Sequence, residues 1–258
     1  MRDLVAALRL RRIWWRLGVQ DLRLRFRRAA LGIGWIFIQL AATLVALGAV
    51  YGTLLGQEMR TFLPFLAVGL VLWGFITASV VEGSQAFVAS EGYIKQIGLP
   101  VQVYVFRFFV SIAVAATMSL SSYVVVVALY AVPIGWGVLW SIPGLFLFGV
   151  TAFWLVLIFA HLTARFRDTA HLASTALQIL FFVTPVIWPA EMLKGRPLQW
   201  VVDANPLYHL LEVARRPLLF SEPATAVNYL VGSGVVVVLG GVALLVVRLY
   251  SRRIVYLL

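Results

Sequence analysis

Residues 108–164 read FFVSIAVAATMSLSSYVVVVALYAVPIGWGVLWSIPGLFLFGVTAFWLVLIFAHLTA, with no Asp, Glu, Lys or Arg over 57 positions. A helix rises about 1.5 Å per residue, so roughly 20 apolar residues cross the ~30 Å hydrocarbon core of a bilayer. This stretch is therefore long enough for two crossings. Pro133, Gly135 and Gly137 favour a turn between them. The sequence predicts a pair of membrane-spanning helices joined near residues 132–137.

Four further uncharged stretches are long enough to span a membrane, at residues 29–57, 61–81, 171–190 and 223–247. The stretch 171–190 is the shortest, and Pro185 is expected to kink it. The whole chain is 62% hydrophobic and only 12% charged, which excludes a water-soluble globular domain. We predict an all-α integral membrane protein with six transmembrane helices.

The first 28 residues carry nine arginines. Apolar residues such as Leu8, Trp15 and Leu22 recur at helical spacing, and arginines follow the same period on a neighbouring face. This pattern is typical of an amphipathic helix that lies in the plane of the lipid headgroups. It lacks the apolar core of a signal peptide, and a disordered basic tail is the alternative. We divide the chain into an interfacial helix, 1–28, and a six-helix transmembrane domain, 29–258.

The distribution of basic residues predicts the orientation. Six spans place residues 1–28, 82–107, 165–171 and the tail from Arg248 to Arg253 on one side of the membrane. That side carries sixteen basic residues and the other carries five. Because cytoplasmic loops are enriched in Lys and Arg, both termini are expected to be cytoplasmic. The net charge of +11 then reports how the chain is oriented in its membrane, and the spans exclude a nucleic-acid-binding domain.

The sequence offers no candidate for catalysis, cofactor binding or metal binding. It contains no Gly-x-x-x-x-Gly-Lys-Ser/Thr phosphate loop, no cysteine and no His-x-x-x-His pair. No Asp, Glu, Lys or Arg lies inside a predicted span, and His161 lies near the inner end of the fourth. Since intramembrane ionisable residues mark proton- and ion-coupled carriers, their scarcity argues against that class.

Residues 90–98 are predicted to form a short cytoplasmic helix. Ser90 is a candidate N-cap, Glu91 suits the positive end of the helix dipole, and Gly98 ends the helix. Tyr93, Ile94 and Ile97 would then offer a docking face to a soluble partner. The alternative is a helix that only rests on lipid.

A second helical segment is predicted on the outer side, at about residues 195–217. Asn205 is the expected N-cap and Pro206 the first helical residue, with the helix ending at Pro217. Its amphipathic pattern fits either a surface lid or a re-entrant element that protein must cover.

The order of these motifs resembles the membrane subunit of ABC-2 type exporters, and most closely the permeases that export O-antigen and teichoic-acid polysaccharides. The residues that carry the resemblance are DLRLRFRRAALGIGW at 21–35, IKQ at 94–96, LP at 99–100, Arg107, RFRD at 165–168, TPV at 184–186 and NPLY at 205–208. The chain departs from the family pattern at Ala29, where Ser is frequent, and at Leu40, where Pro is frequent.

The resemblance implies a homodimer of six-helix subunits with a separate ATPase, which would hold the ATP and Mg²⁺; this chain would carry no cofactor. It implies a polysaccharide linked to a polyprenyl diphosphate as the substrate, besides contacts with membrane lipids. The implied ATPase-coupling residues are Glu91, Tyr93, Ile94, Lys95 and Ile97; those of the cytoplasmic interface helix are Arg16, Arg23, Arg25, Arg27 and Arg28; and those of the extracytoplasmic gate are Asn205, Pro206 and Tyr208.

Two alternatives remain open at this point. An exporter of a drug or small lipid would have the same fold, and the short outer loops do not separate the two. A membrane transferase acting on polyprenyl lipids would need clustered carboxylates at a membrane boundary, where the sequence has only the isolated Glu82 and Asp168. The nine Trp and nine Tyr residues fit sugar stacking, but they equally fit interfacial aromatic belts.

Overall fold

The computed structural model describes residues 2–251 and 254–257, in which we number twelve α-helices. They are α1 (Arg2–Arg9), α2 (Arg11–Arg25), α3 (Trp35–Leu54), α4 (Met59–Val81), α5 (Glu91–Gln96), α6 (Gln102–Tyr130), α7 (Ser141–Arg165), α8 (Thr169–Val183), α9 (Gln199–Asp203), α10 (Pro206–Phe220), α11 (Ala226–Tyr250) and α12 (Ile254–Leu257). Arg252 and Arg253, which were counted with the basic tail, lie outside the described residues.

The all-α membrane fold is confirmed. Helices α3, α4, α6, α7 and α11 are each long and apolar enough to cross a membrane. The predicted turn between the third and fourth spans is also present, because α6 ends at Tyr130 and Ala131 takes a left-handed φ of 46°. The sixth predicted span corresponds to α8, which has only 15 residues and therefore covers about 22 Å as a helix. The count of six full-length helices is thus approximate.

Successive helices alternate between two ends of the bundle. Helices α2 and α5, the end of α4 and the start of α6 meet at one end, which we call the α2 end. Helix α11 finishes there as well, since the Gln102 amide donates to Ser251 Oγ over 3.3 Å. Helix α10, the α3–α4 connection and the α6–α7 turn meet at the opposite end, which we call the α10 end.

The amino-terminal segment forms two helices, where the sequence predicted one continuous helix over 1–28. Leu10 interrupts the helix and α2 ends at Arg25. One face of α2 packs on protein: Leu22 is buried, and Trp14 stacks on Phe106 of α6 at 5.1 Å. Trp15, the residue that follows Trp14, remains exposed.

Helix α4 lies at the centre of the main hydrophobic core, and α10 packs against it. Leu66, Leu72 and Ile76 of α4 are buried in the same cluster as Leu210 and Leu211 of α10. The apolar stripe predicted for the outer helix therefore faces the core of the bundle.

Helix α10 continues through Pro217 to Phe220, so the expected end at Pro217 is wrong. Proline removes the N–H that would bond to the carbonyl four residues earlier, here that of Val213. This carbonyl lies against Gly144 of α7, where an added Cβ would stand only 2.3 Å from the oxygen. Close packing on α7 thus covers the carbonyl that Pro217 leaves without its helical partner.

Candidate functional site

The fifth span is broken near the α10 end. Helix α8 stops at Val183, and Thr184 is already extended, with ψ of 135°. The expected kink at Pro185 is therefore wrong, because the helix ends before the proline, as the preference of pre-proline residues for extended backbone favours. Thr184, Val186 and Ile187 are all buried, so this non-helical segment is covered by protein.

Side-chain donors satisfy the polar groups that the break exposes. Trp188 Nε1 donates to the carbonyl of Phe182 over 3.1 Å. Asn205 Nδ2 donates to Thr184 Oγ1 over 2.9 Å, and Arg215 Nη1 donates to the carbonyl of Pro185 over 2.7 Å. Irregular backbone at membrane depth is stable only where such partners and surrounding protein replace water. The segment 184–188 is therefore a supported break in the span.

Arg215 is the buried charge that holds this break. It is 1% exposed, and both its Nε and Nη2 donate to Glu212 Oε1, over 2.8 and 2.5 Å. Its guanidinium lies 4.3 Å from the ring centroid of Phe65 on α4. Sequence reasoning counted Arg215 among the five basic residues of the outer side and did not single it out as a buried donor. Pro185 is the sequence feature that could have indicated a buried donor such as Arg215. A proline that ends a helix inside an apolar stretch leaves backbone carbonyls that need hydrogen-bond donors.

The predicted start of α10 is confirmed. Asn205 Oδ1 accepts hydrogen bonds from the backbone N–H groups of Leu207 and Tyr208, over 3.0 and 3.3 Å, and Pro206 is the first helical residue. Because Asn205 also donates to Thr184, one side chain fixes both the start of α10 and the broken span.

A cavity of about 570 Å³ opens at the α10 end, beside this break. Its charged lining residues are Glu58, Arg60, Glu191, Glu212, Arg215 and Arg216. Phe62, Phe65 and Tyr208 add aromatic faces. Of the three predicted gate residues only Tyr208 lines this cavity; Pro206 instead borders an apolar groove of about 650 Å³ between α4, α7, α8 and α11. Equal numbers of acidic and basic residues give the cavity a balanced formal charge.

Helix α5 lies at the α2 end and presents part of the predicted docking face. Tyr93 and Ile97 are half-exposed, whereas Ile94 is buried against the bundle and so anchors the helix from within. Lys95 Nζ lies 2.6 Å from Glu91 Oε1, and this contact holds the pKa of the Glu91 carboxyl below its usual range.

Ser90 precedes α5 as predicted, but its side chain makes no capping hydrogen bond, and its buried hydroxyl has no partner within the part of the chain that the structure describes.

Two ion pairs tie α2 to the bundle. Arg25 pairs with Glu82 at the end of α4, with Nη1–Oε1 and Nη2–Oε2 distances of 3.1 and 2.5 Å. Asp21 accepts from Arg107 at the start of α6, over 2.5 and 2.7 Å.

The other arginines predicted for the interface helix lie apart from these pairs. Arg16 and Arg23 border a shallow groove with Trp15. Arg27 and Arg28 follow the helix in a turn and are exposed. Sequence reasoning did not single out Asp21 and Glu82 as ion-pair partners, because their cations stand 86 and 57 residues away.

Among residues 2–251 and 254–257, no group of three or more His, Asp or Glu side chains stands close enough together to hold a metal ion. The arrangement offers instead an exposed short helix at one end and a polar cavity beside a broken span at the other.

Comparison with known proteins places these features in a family. The profile of the ABC-2 type transporter family matches residues 12–219. The chain is 24% identical over 202 residues to "O-antigen export system permease protein RfbA" of Klebsiella pneumoniae, covering 74% of each chain. It is 26% identical over 194 residues to the protein of the same name from Myxococcus xanthus, again covering 74% of each.

The family match includes α3, α4 and α6 to α10, together with α5 and most of α2. These helices contain the broken span, the cavity and the exposed short helix. Membership also implies an ABC ATPase as the partner of this multi-pass membrane protein. The chain belongs to the ABC-2 type transporter family, as a membrane permease.

Proposed function

We propose that this chain is the channel-forming subunit of an ATP-driven exporter of polyprenyl-diphosphate-linked polysaccharide, of the O-antigen or teichoic-acid type. The observation that carries the proposal is the similarity, over 74% of the chain, to relatives named as O-antigen export permeases. An ABC-2 exporter of a drug or small lipid is the second candidate within the same family, and nothing in the cavity or the loops favours it.

ATP hydrolysis belongs to the partner ATPase, which holds the ATP and Mg²⁺, and this chain is not itself an enzyme. The sequence supports this division because it has no phosphate-binding loop. Purified chain should hydrolyse no ATP, and hydrolysis should appear when it is co-purified with the ATPase. ATP turnover by the single chain would contradict the division.

The permease acts as a homodimer in the bacterial inner membrane, with its α2 end in the cytoplasm. The charge asymmetry supports this orientation, since sixteen of the twenty-one basic residues belong to segments assigned to that side. The chain has no cysteine, so an introduced thiol is its only one. In intact spheroplasts an impermeant maleimide should label Leu198→Cys and leave Gln96→Cys unlabelled; the reverse pattern would invert the orientation.

Helix α5 is the site that receives the ATPase, and α2 flanks it. Two exposed apolar side chains, Tyr93 and Ile97, support docking because an unpaired apolar surface beside charged residues is typical of interaction sites. Reversing the charge of Glu91 or replacing Tyr93 should uncouple export from ATP hydrolysis while the complex still assembles. Unchanged export and ATPase stimulation in both variants would refute docking at α5.

The α10 end is the exit. Asn205 and Pro206 set the position of α10, and Tyr208 lies on the wall of the charged cavity. The broken span supports a gating role because it concentrates non-helical backbone, two buried hydrogen-bonded side chains and an open cavity in one place.

Deletion of the gene tests the proposed substrate directly. Lipid-linked polysaccharide should accumulate on the cytoplasmic side of the membrane and be lost from the cell surface, and both effects should be reversed by the wild-type gene. If surface polysaccharide is unchanged and the cells instead become sensitive to small hydrophobic toxins, the second candidate is correct.

A further inference from the structure

Arg107, at the start of α6, contacts two other helices at once. Its Nε and Nη2 donate to the two carboxylate oxygens of Asp21 on α2, over 2.5 and 2.7 Å. Its guanidinium carbon lies 5.6 Å from the ring centroid of Tyr93 on α5, within the range of a cation–π contact. The side chain is only 16% exposed, so water competes little for either contact.

The contact with α2 is fixed by packing as well as by charge. Gly18 lies so close to the start of α6 that an added Cβ would stand 2.5 Å from the carbonyl oxygen of Arg107. One turn earlier on α2, Trp14 stacks on Phe106. Helix α2 and the first turns of α6 are therefore in backbone contact around the arginine.

Helix α5 has much less to hold it in place. It spans six residues, Glu91–Gln96, and a helix this short is not stable by itself. Ile94 is buried in the bundle, and Tyr93, which faces Arg107, is half-exposed. The position of α5 relative to α2 thus depends on these side-chain contacts.

We propose that Arg107 is a positioning residue that joins α5 to α2, so that the two helices move as one body. A displacement of α5 by the ATPase is then carried to α2, and through residues 26–34 to the first span, α3. The bidentate pair with Asp21 fixes the plane of the guanidinium, and that plane sets where the ring of Tyr93 can lie. This inference rests on the proposed docking of the ATPase at α5.

The ion pair between Arg25 and Glu82 provides a matched comparison. It also has two donor–acceptor contacts and also ties α2 to the bundle, but to the end of α4 rather than to the start of α6. A variant of Arg25 therefore weakens the attachment of α2 without removing the link to Tyr93.

The distance between α2 and α5 tests the link. Gln20 and Gln96 are exposed on the two helices, and spin labels can be attached to Gln20→Cys and Gln96→Cys in this cysteine-free chain. The labelled chain is diluted with unlabelled chain and purified with its ATPase, so that distances within one protomer dominate. Pulsed electron paramagnetic resonance is recorded without nucleotide and with a non-hydrolysable ATP analogue.

We expect one narrow distance distribution in both nucleotide states for the unmodified pair and for Arg25→Gln. In Arg107→Ala the distribution should broaden and shift with nucleotide. A narrow, unshifted distribution in Arg107→Ala would overturn the proposal, as would a nucleotide-dependent shift in the unmodified pair. These outcomes do not depend on what is exported. A failure of docking would instead appear as a Gln96 label that remains as mobile with the ATPase as without it.

A coupling measurement separates this role from a purely structural one. Arg107→Ala should raise the ATP hydrolysed per exported polysaccharide chain about tenfold, within the range of couplings between residues in contact. Tyr93→Leu should act in the same direction, because it removes the ring that Arg107 faces. Because the two substitutions break the same contact, the double variant Arg107→Ala, Tyr93→Leu should show a smaller effect than the product of the two single effects. Independent, multiplicative effects of the two substitutions would contradict a shared link.

Discussion

Replacing Arg215 by methionine should destabilise the protein far more than replacing its neighbour Arg216. Both arginines lie on α10 and both pair with a glutamate, but the side chain of Arg215 is 2% exposed and that of Arg216 is 40% exposed. Arg215→Met leaves the carboxylate of Glu212 and the carbonyl of Pro185 without their donor. Methionine keeps most of the apolar volume against Phe65, so the loss is mainly one of charge and hydrogen bonding.

The size of each loss in unfolding free energy follows from how deeply the ion pair is buried. Removing one partner of a buried ion pair costs about 3–5 kcal/mol, and we expect about 4 kcal/mol for Arg215→Met. An exposed pair such as Arg216–Glu222 contributes below about 1 kcal/mol. Adding Glu212→Leu to Arg215→Met removes the stranded carboxylate and leaves only the Pro185 carbonyl, at a cost of roughly 2 kcal/mol. The double variant should therefore be more stable than the single one.

Unfolding of the purified protein in mild detergent, titrated with dodecyl sulfate and followed by circular dichroism, measures these differences. Wild type, Arg216→Met, the double variant and Arg215→Met should unfold at successively lower denaturant. If Arg215→Met and Arg216→Met unfold together, or if the double variant is the least stable, then Arg215 does not secure the broken span as a buried pair.

Other substitutions test the same region. Gly69→Ala should lower the free energy of unfolding by about 1–3 kcal/mol, because its Cβ would stand 2.6 Å from the Val186 carbonyl oxygen. Gly74→Ala, on the same helix, meets nothing within 4 Å among the described residues and should be neutral or slightly stabilising. Equal effects of the two substitutions in the same titration would contradict this packing. Asn205→Ala should lower the free energy of unfolding by about 1 kcal/mol through loss of the cap, and further through loss of the hydrogen bond to Thr184. Asn205→Asp keeps the oxygen that caps α10 and loses only the donor to Thr184, so it should be the less destabilising of the two. A larger loss in the aspartate variant would show that the cap is not the main contribution.

The spans were predictable because a bilayer requires a minimum length and an apolar composition, and both can be read from one contiguous stretch of sequence. The uncharged run 108–164 and the glycines and prolines at its centre predict most of α6, most of α7 and the turn between them, although α6 begins earlier, at Gln102. The cap of α10 was predictable for the same reason, since Asn205 bonds to N–H groups only two and three residues away.

The contacts that complete the site are long-range, and the sequence pattern does not specify them. The predicted outer helix contains Arg215, but no local pattern indicates that its guanidinium donates to a carbonyl 30 residues away. Pro217 was expected to end its helix because proline normally does, and only the backbone of α7 at Gly144 explains why α10 continues. The local sequence predicted that a helix begins at Pro206, but the contact of α10 with α7 determines where that helix ends.

Reconstitution of the permease with its ATPase in liposomes tests whether this chain exports lipid-linked polysaccharide. Lipid-linked polysaccharide is placed in the membrane, ATP is added on the ATPase side, and a lectin or antibody reports the polysaccharide that remains on that side. We expect polysaccharide to disappear from the ATPase side in an ATP-dependent manner that needs both chains, with no ATP-dependent movement of a labelled phospholipid or small hydrophobic drug. If the drug or phospholipid moves while the polysaccharide stays in place, the permease is not a polysaccharide exporter.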